Sequence, residues 1–404
     1  MADFELDAPP PEVSGRSIVP SLLAALKAHG ERNGRLVQAI NAVSRYASDD
    51  EERMQLLVDT GLLAQLRTTF KETKFVAPRA AVAQCLSLFA SMNRFRDVVG
   101  VRYGFVSSAI ARLIMFHAEI GMPELDMNDL QREKAFPKRP EIEHMQVRMG
   151  ALNAGAQQEL ALGLVVMLRL CCVSLESAAV AAKLPTVALL LDFLELFGDG
   201  SGHRYQLCQL NVLKCMQNML SHEAASRELA QSRALLKRFL GLLSKSSDHF
   251  MSREERVVST GVLQGVFNMT SQLRLHGTLA AVDLADTLVR YAVGAAVECV
   301  AAESWLDDDA AEDDSALPAQ PATAAQVAAR EQTKKPGDES NRTIILRSTQ
   351  LCIGCMVNLA AGEEGCNVLL PKVLGHGCPA MWELLMVRTL GSFINAFPTA
   401  PVLG

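Results

Sequence analysis

Apolar residues along this 404-residue chain recur at helical spacing, and in seven places they fall into one frame. The frame reads aliphatic, spacer, small, apolar, spacer, variable, apolar. In the last four places the variable position is asparagine. These segments are Leu213-Lys214-Cys215-Met216-Gln217-Asn218-Met219, Leu263-Gln264-Gly265-Val266-Phe267-Asn268-Met269, Ile353-Gly354-Cys355-Met356-Val357-Asn358-Leu359 and Leu390-Gly391-Ser392-Phe393-Ile394-Asn395-Ala396. The first three places keep the frame, with Arg45, Leu88 and Leu170 at the variable position. Most spacings between them are about 40–50 residues, the period of stacked helical repeats.

Each frame is predicted to lie late in a helix, since Leu213, Met216, Met219 and Leu220 (or Ile353, Met356, Leu359 and Ala360) share one helical face. A polar turn, a short helix, often a glycine and a second amphipathic helix follow. In the first unit this order is Ala39 to Ala47, then Asp49-Asp50-Glu51-Glu52, Met54 to Val58, Gly61, and Leu62-Leu63 with Leu66. Asp49 or Asp50 is expected to cap the short helix, and Gly61 to end it in the left-handed conformation.

Two spacings are about double length, and each contains a stretch unsuited to a core helix. Residues 121–140 carry Pro123, Pro137 and Pro140 among many charges. Residues 307–341 open with Asp307-Asp308-Asp309 and continue through Ala, Pro, Gln and Thr. Such composition does not offset the entropy of ordering, so both are expected to be flexible insertions. The organisation that follows is a disordered N-terminus over 1–11, repeats over 12–120, 141–306 and 342–404, and the two insertions between them.

Composition narrows the class. Apolar residues make up 49% of the chain but aromatics only 5%, which favours aliphatic helix packing over a β-sandwich. A net charge of −6 gives no reason to expect nucleic acid. The ten cysteines sit mostly inside apolar helical patterns, as Cys171-Cys172 does, and are expected to be buried free thiols in a reducing compartment. Met1 to Asp7 is acidic and has no apolar leader core. Arg169 interrupts the best apolar run, so no membrane span is expected. The sequons at Asn268 and Asn341 are accordingly taken as chance, and a soluble, cytoplasmic protein is expected.

A three-helix unit of this kind resembles the armadillo repeat. The segment Cys355-Met356-Val357-Asn358-Leu359-Ala360-Ala361-Gly362-Glu363-Glu364-Gly365-Cys366-Asn367-Val368-Leu369-Leu370 is similar to the end of that family's long third helix and the short helix after it. Ile18-Val19-Pro20-Ser21-Leu22 and Leu184-Pro185-Thr186-Val187 resemble the start of its second helix. The likeness covers most of residues 12–397 apart from the insertions. It implies an all-α, right-handed superhelix, an armadillo-like solenoid of about seven repeats, with third helices lining a concave groove. By that resemblance Asn218, Asn268, Asn358 and Asn395 would form a ladder to the backbone of an extended peptide, using the donor and acceptor of each amide. Arg45 would face the same way, as a solvated surface charge or, in the sharper alternative, as a contact for an acidic partner. Import receptors of the family carry tryptophan one turn before the asparagine; here Lys214, Gln264, Gly354 and Gly391 stand there, so import of basic cargo is not expected. For each asparagine the alternative is a local bond, to a helix carbonyl or a neighbouring repeat.

No motif proposes catalysis. Cys352 and Cys355, with Cys366, His376 and Cys378, superficially offer a zinc set, but the first two share one helix where zinc knuckles use a turn. Gly198-Asp199-Gly200-Ser201-Gly202-His203 lacks both the preceding strand and the Lys-Ser/Thr of a phosphate loop, and reads as an inter-repeat turn. The histidines are scattered, without a metal-binding spacing. No cofactor and no metal are expected. The acidic run Asp307 to Asp314 reads as a solubilising loop, with folding across the groove or recruitment of a basic partner as the sharper alternative. The expected function is a non-catalytic scaffold or adaptor that holds a protein or peptide partner as an extended segment or a helix. The rivals are a client-binding assembly factor for myosin or axonemal dynein, and a structural subunit of a cytoskeletal or ciliary assembly.

Overall fold

The computed structural model describes residues 18–28, 33–48, 50–119, 154–198, 203–244, 253–280, 284–295 and 341–376. Among them every regular element is helical and there is no strand, so the protein is all-α. The insertion 121–140, almost all of 307–341, and the seventh frame with Asn395 lie outside the described residues; Asn341, the last residue of the second stretch, is the first residue of a described helix. Contacts divide the chain into two compact units, Met1–Glu228 and Leu229–Gly404.

In the first unit the helices are α1 (Ile18–Ala28), α2 (Asn33–Ala47), α3 (Glu51–Asp59), α4 (Leu62–Glu72), α5 (Val76–Ser91), α6 (Phe105–Glu119), α7 (Ala154–Cys171), α8 (Leu175–Ala181), α9 (Thr186–Gly198), α10 (His203–Leu220) and α11 (Glu223–Gln231), the division falling inside α11. The frames occupy the later turns of α2, α5, α7 and α10. These four pack in chain order, α5 against α2 and α7, and α10 against α7. Elements between them pack on their other sides, α4 on α5, α6 on α7 and α9 on α10.

Local chemistry accounts for the breaks. Asp50 caps α3, its carboxylate accepting from the Arg53 amide at 3.0 Å, while Glu51 and Glu52 sit in the first turn, where the helix dipole favours anions. Gly61 follows at φ +84°, a conformation costly for residues with a Cβ, and turns the chain into α4. Pro78 stands in the first turn of α5, where its missing N–H costs no ladder bond. α9 ends at Gly198 and α10 begins at His203; residues 199–202 of the expected inter-repeat turn lie outside the described residues.

The frame's periodicity is visible as burial. Ile40, Ala83, Val165, Leu213, Leu263 and Ile353, at the first position, are all buried, as are Val43, Leu86, Leu168, Met216, Val266 and Met356 at the fourth. Aromatic edges fill the core around them: Phe70 meets Phe105 with centroids 6.3 Å apart, and Phe89 meets Phe95 at 6.1 Å.

The second unit contains α12 (Arg233–Ser244), α13 (Arg253–Thr270), α14 (His276–Ala280), α15 (Asn341–Ala360) and α16 (Glu363–His376), with a helical stretch over residues 284–295. Here the frame-bearing helices α13 and α15 pack on each other, α12 lies on α13, and α16 lies on α14 and α15. Over Thr343–Ala360, α15 is long and apolar enough to cross a membrane by length and composition, and half of that window is buried inside the protein. The apolar run singled out from the sequence, interrupted by Arg169, is instead in α7. In α15, Ser348 and Thr349 are buried with hydroxyls donating to the Ile345 carbonyl at 2.9 and 2.8 Å, as in a core helix packed on neighbours.

Candidate functional site

The spacer and variable positions of each frame face away from the buried positions, so α2, α5, α7 and α10 present one side-by-side outward face in the first unit. Arg45 is exposed there, Leu88, Leu170 and Asn218 are half-buried, and Asn41, Gln84 and Lys214, one turn earlier, are exposed. In the second unit α13 and α15 present Gln264, Phe267, Asn268, Val357 and Asn358 in the same way.

The three described asparagines of the expected ladder are all half-buried and all hydrogen-bonded inside the protein. Asn218 Nδ2 donates to the carbonyl oxygen of Arg169 on α7 at 2.7 Å. Asn358 Nδ2 donates to Thr270 Oγ1 on α13 at 3.4 Å. Asn268 Oδ1 accepts from Gln264 Nε2, one turn earlier in α13, at 3.2 Å. Two of the three thus tie one frame-bearing helix to the one before it. The backbone carbonyls of the same residues are also capped: Ser221 Oγ donates to Asn218 O at 2.6 Å, Ser271 Oγ to Asn268 O at 2.8 Å.

The chemistry left for a partner is therefore narrower than a ladder of unengaged amides. Asn218 has spent one N–H on the Arg169 carbonyl; its Oδ1 and second N–H remain for an outside group. The Arg45 guanidinium is exposed at the α2 end of the row. Asn395 lies outside the described residues.

Gly354 stands one turn before Asn358 on α15, and Phe267 of α13 lies over it: a Cβ at Gly354 would stand 2.8 Å from Phe267 Cε2. An aromatic ring therefore covers the glycine from the preceding helix. The signal was in the sequence, since Phe267 occupies the spacer just before Asn268, a position that faces outward.

The cysteine pair belongs to the core. Cys352 and Cys355 are buried on consecutive turns of α15, with Cys352 Sγ donating to the Leu288 carbonyl at 3.2 Å and Cys355 Sγ to the Leu263 carbonyl at 3.7 Å. Burial pushes both thiols well above their ordinary pKa and keeps them protonated. Among the described residues no group of three His, Cys, Asp or Glu is arranged to hold a metal. Cys378 and the side chain of His376 lie outside them. All eight described cysteines are free thiols, and Cys366 alone of these is not fully buried.

Elsewhere in the first unit, His117 Nε2 and Asp192 Oδ2 pair at 2.8 Å between α6 and α9, beneath the ring of Phe193. Asp97 accepts from the hydroxyls of Ser174 and Ser177, linking the turn after α5 to α8. Both pairs lie on the helices between the frames.

No family model matches the chain, and no curated protein matches it. Among solved structures it is similar to an engineered protein, at 13% identity and a TM-score of 0.28, over 92% of this chain and 98% of that one. A likeness at that level carries no argument about fold or function. The class the structure defines is an all-α protein with serially packed, frame-bearing helices.

Proposed function

We infer that this protein is a non-catalytic binding scaffold, an armadillo-like right-handed superhelix of about seven repeats whose third-helix faces hold an extended peptide or a helix of a protein partner. The observation that carries the reading is the outward row itself. Successive frame-bearing helices lie side by side, joined by Asn218 to Arg169 in one unit and Asn358 to Thr270 in the other. Such links hold neighbouring outward faces in fixed register, as a surface contacting one segment at several points needs.

The spacing suits that use. Packed helices lie about 8–10 Å apart, so the row from Arg45 to Asn218 spans about 25–30 Å, the length of about eight extended residues. The Asn218 Oδ1, the Arg45 guanidinium and the exposed Lys214 ammonium supply polar contacts along it. Phe267 over Gly354 supplies an aromatic surface in the second unit.

A displayed peptide library selected on the full chain, followed by photo-crosslinking of a selected peptide, tests the reading. The expected crosslinks fall on the outward positions of α2, α5, α7 and α10, or on those of α13 and α15. Crosslinks on α4, α6 and α9, or no selectable peptide, overturn it. Protection of an aggregating client without a mapped segment would favour the assembly-factor rival, and co-sedimentation with a polymer the structural one.

A further inference from the structure

The four frame-bearing helices of the first unit differ in charge from the rest of the chain. The whole sequence has 45 acidic and 39 basic residues, yet α2, α5, α7 and α10 together contain one carboxylate, Glu159. Against it stand Arg35, Arg45, Arg79, Arg169, Arg204 and Lys214; Arg35, Arg45 and Lys214 are exposed, and Arg79 and Arg169 half-buried. Arg79 is occupied locally, its Nε donating to the Phe70 carbonyl at 3.1 Å. Arg169 Nε is buried without a hydrogen-bond partner. The acidic residues lie on the other elements, for example Glu51 and Glu52 on α3 and Asp192 and Glu195 on α9.

The middle of the same face is apolar. Leu88 on α5 and Leu170 on α7 occupy variable positions that carry Arg45 and Asn218 on either side. Val166, one turn before Leu170, is half-buried, and Val173, just past the end of α7, is 45% exposed. Just beyond, Leu175 is 66% exposed at the start of α8. Aliphatic side chains in the row, flanked by cations at Arg45, Arg169 and Lys214, form an apolar strip with a positive rim on a protein of net negative charge.

We propose that this face of the first unit docks an acidic protein segment with aliphatic anchors, its leucine-like side chains on Leu88 and Leu170 and its carboxylates at Arg45, Arg169 and Lys214. The inference rests on the scaffold reading and adds the chemistry of the partner. Burial of aliphatic anchors gives the affinity; the cations select acid over base and hasten encounter. A basic segment meets like charge along the rim, whereas a neutral one gains the apolar contacts alone.

The test uses the full chain and a labelled peptide in which glutamate alternates with leucine, beside versions with glutamine or lysine for glutamate, read by fluorescence anisotropy. The expected result is binding of the glutamate peptide that weakens as salt is raised, at least about tenfold weaker binding of the glutamine peptide, and none of the lysine peptide. The double variant Arg45→Glu, Lys214→Glu changes two exposed side chains and should unfold with the wild type. It should lose at least about tenfold in affinity for the glutamate peptide. Leu170→Ser should weaken both acidic and neutral peptides. Equal binding of glutamate and glutamine peptides overturns the acidic assignment and leaves the scaffold reading standing. Failure of every peptide removes both. Anionic vesicles or an RNA oligonucleotide that displace the peptide through Arg45 and Lys214 also overturn the proposal.

Discussion

The amide of Asn218 donates to the backbone carbonyl of Arg169 across 2.7 Å, joining α10 to the last turn of α7. The final carbonyls of a helix have no partner within it, and Arg169 is third from the end of α7. The asparagine of one frame-bearing helix thus satisfies a carbonyl that the previous frame-bearing helix leaves open. The frame residue expected to meet a partner is first of all a link between neighbours.

Asn218→Ala should therefore lower stability by about 1 kcal/mol, the usual net worth of such a bond. Asn218→Asp should cost more, because it sets a carboxylate oxygen against a carbonyl oxygen that needs a donor. Urea denaturation of both variants beside the wild type checks the order. Equal midpoints for all three would mean the link adds nothing to the fold.

His117 and Asp192 form the most enclosed polar pair described in the first unit, their side chains 3% and 12% exposed. Removing one partner takes this bond from the other's enclosed side chain, so Asp192→Leu and His117→Leu should each cost about 1–3 kcal/mol. The double variant replaces the pair by apolar side chains beside Phe193 and should be less destabilised than the sum of the singles. Additive losses in a double-mutant cycle would show that the two side chains contribute independently.

The helical class, the frame and the helix breaks were legible because each rests on local chemistry. Period identifies the buried positions, Asp50 caps the turn after it and Gly61 alone accepts its φ. The use of the outward amides was not legible. Asn218 finds its acceptor 49 residues away and Asn358 finds Thr270 88 residues away, and no local pattern specifies which atoms two packed helices bring together. Charge segregation needs no coordinates to count, but it becomes visible only once the frame helices are separated from the rest. Phe267 over Gly354 lay between these cases: its outward position followed from the period, its partner did not.

The Phe267 and Gly354 contact predicts a steric penalty on one side and a cavity on the other. Gly354→Leu should destabilise by about 1–3 kcal/mol, because a side chain there must displace the ring or separate α13 from α15. Phe267→Ala makes room, so the double variant should recover part of the loss. Thermal unfolding of the four proteins decides it. A Gly354→Leu variant as stable as the wild type would place the ring elsewhere in solution.

The buried thiols give the fold an alkaline limit. Burial pushes Cys85 from the ordinary value of 9.0 up to about 11, outweighing the hydrogen bond from Ser44 that favours the thiolate. Between those two values the folded state holds a proton that the unfolded chain releases. Its contribution is fully present below about pH 9 and is lost as pH rises through about 11, at up to about 1.4 kcal/mol per pH unit. Cys171 and Cys352 are raised by burial too and steepen the fall. Lysine and tyrosine titrate in the same range, so the measurement is a comparison: Cys85→Ala should lose less stability between pH 9 and 11 than the wild type, while both are independent of this thiol at pH 7. Parallel curves for the two proteins across that window would show that Cys85 titrates alike in the folded and unfolded chain, and is reached by water in a way its buried position on α5 does not allow.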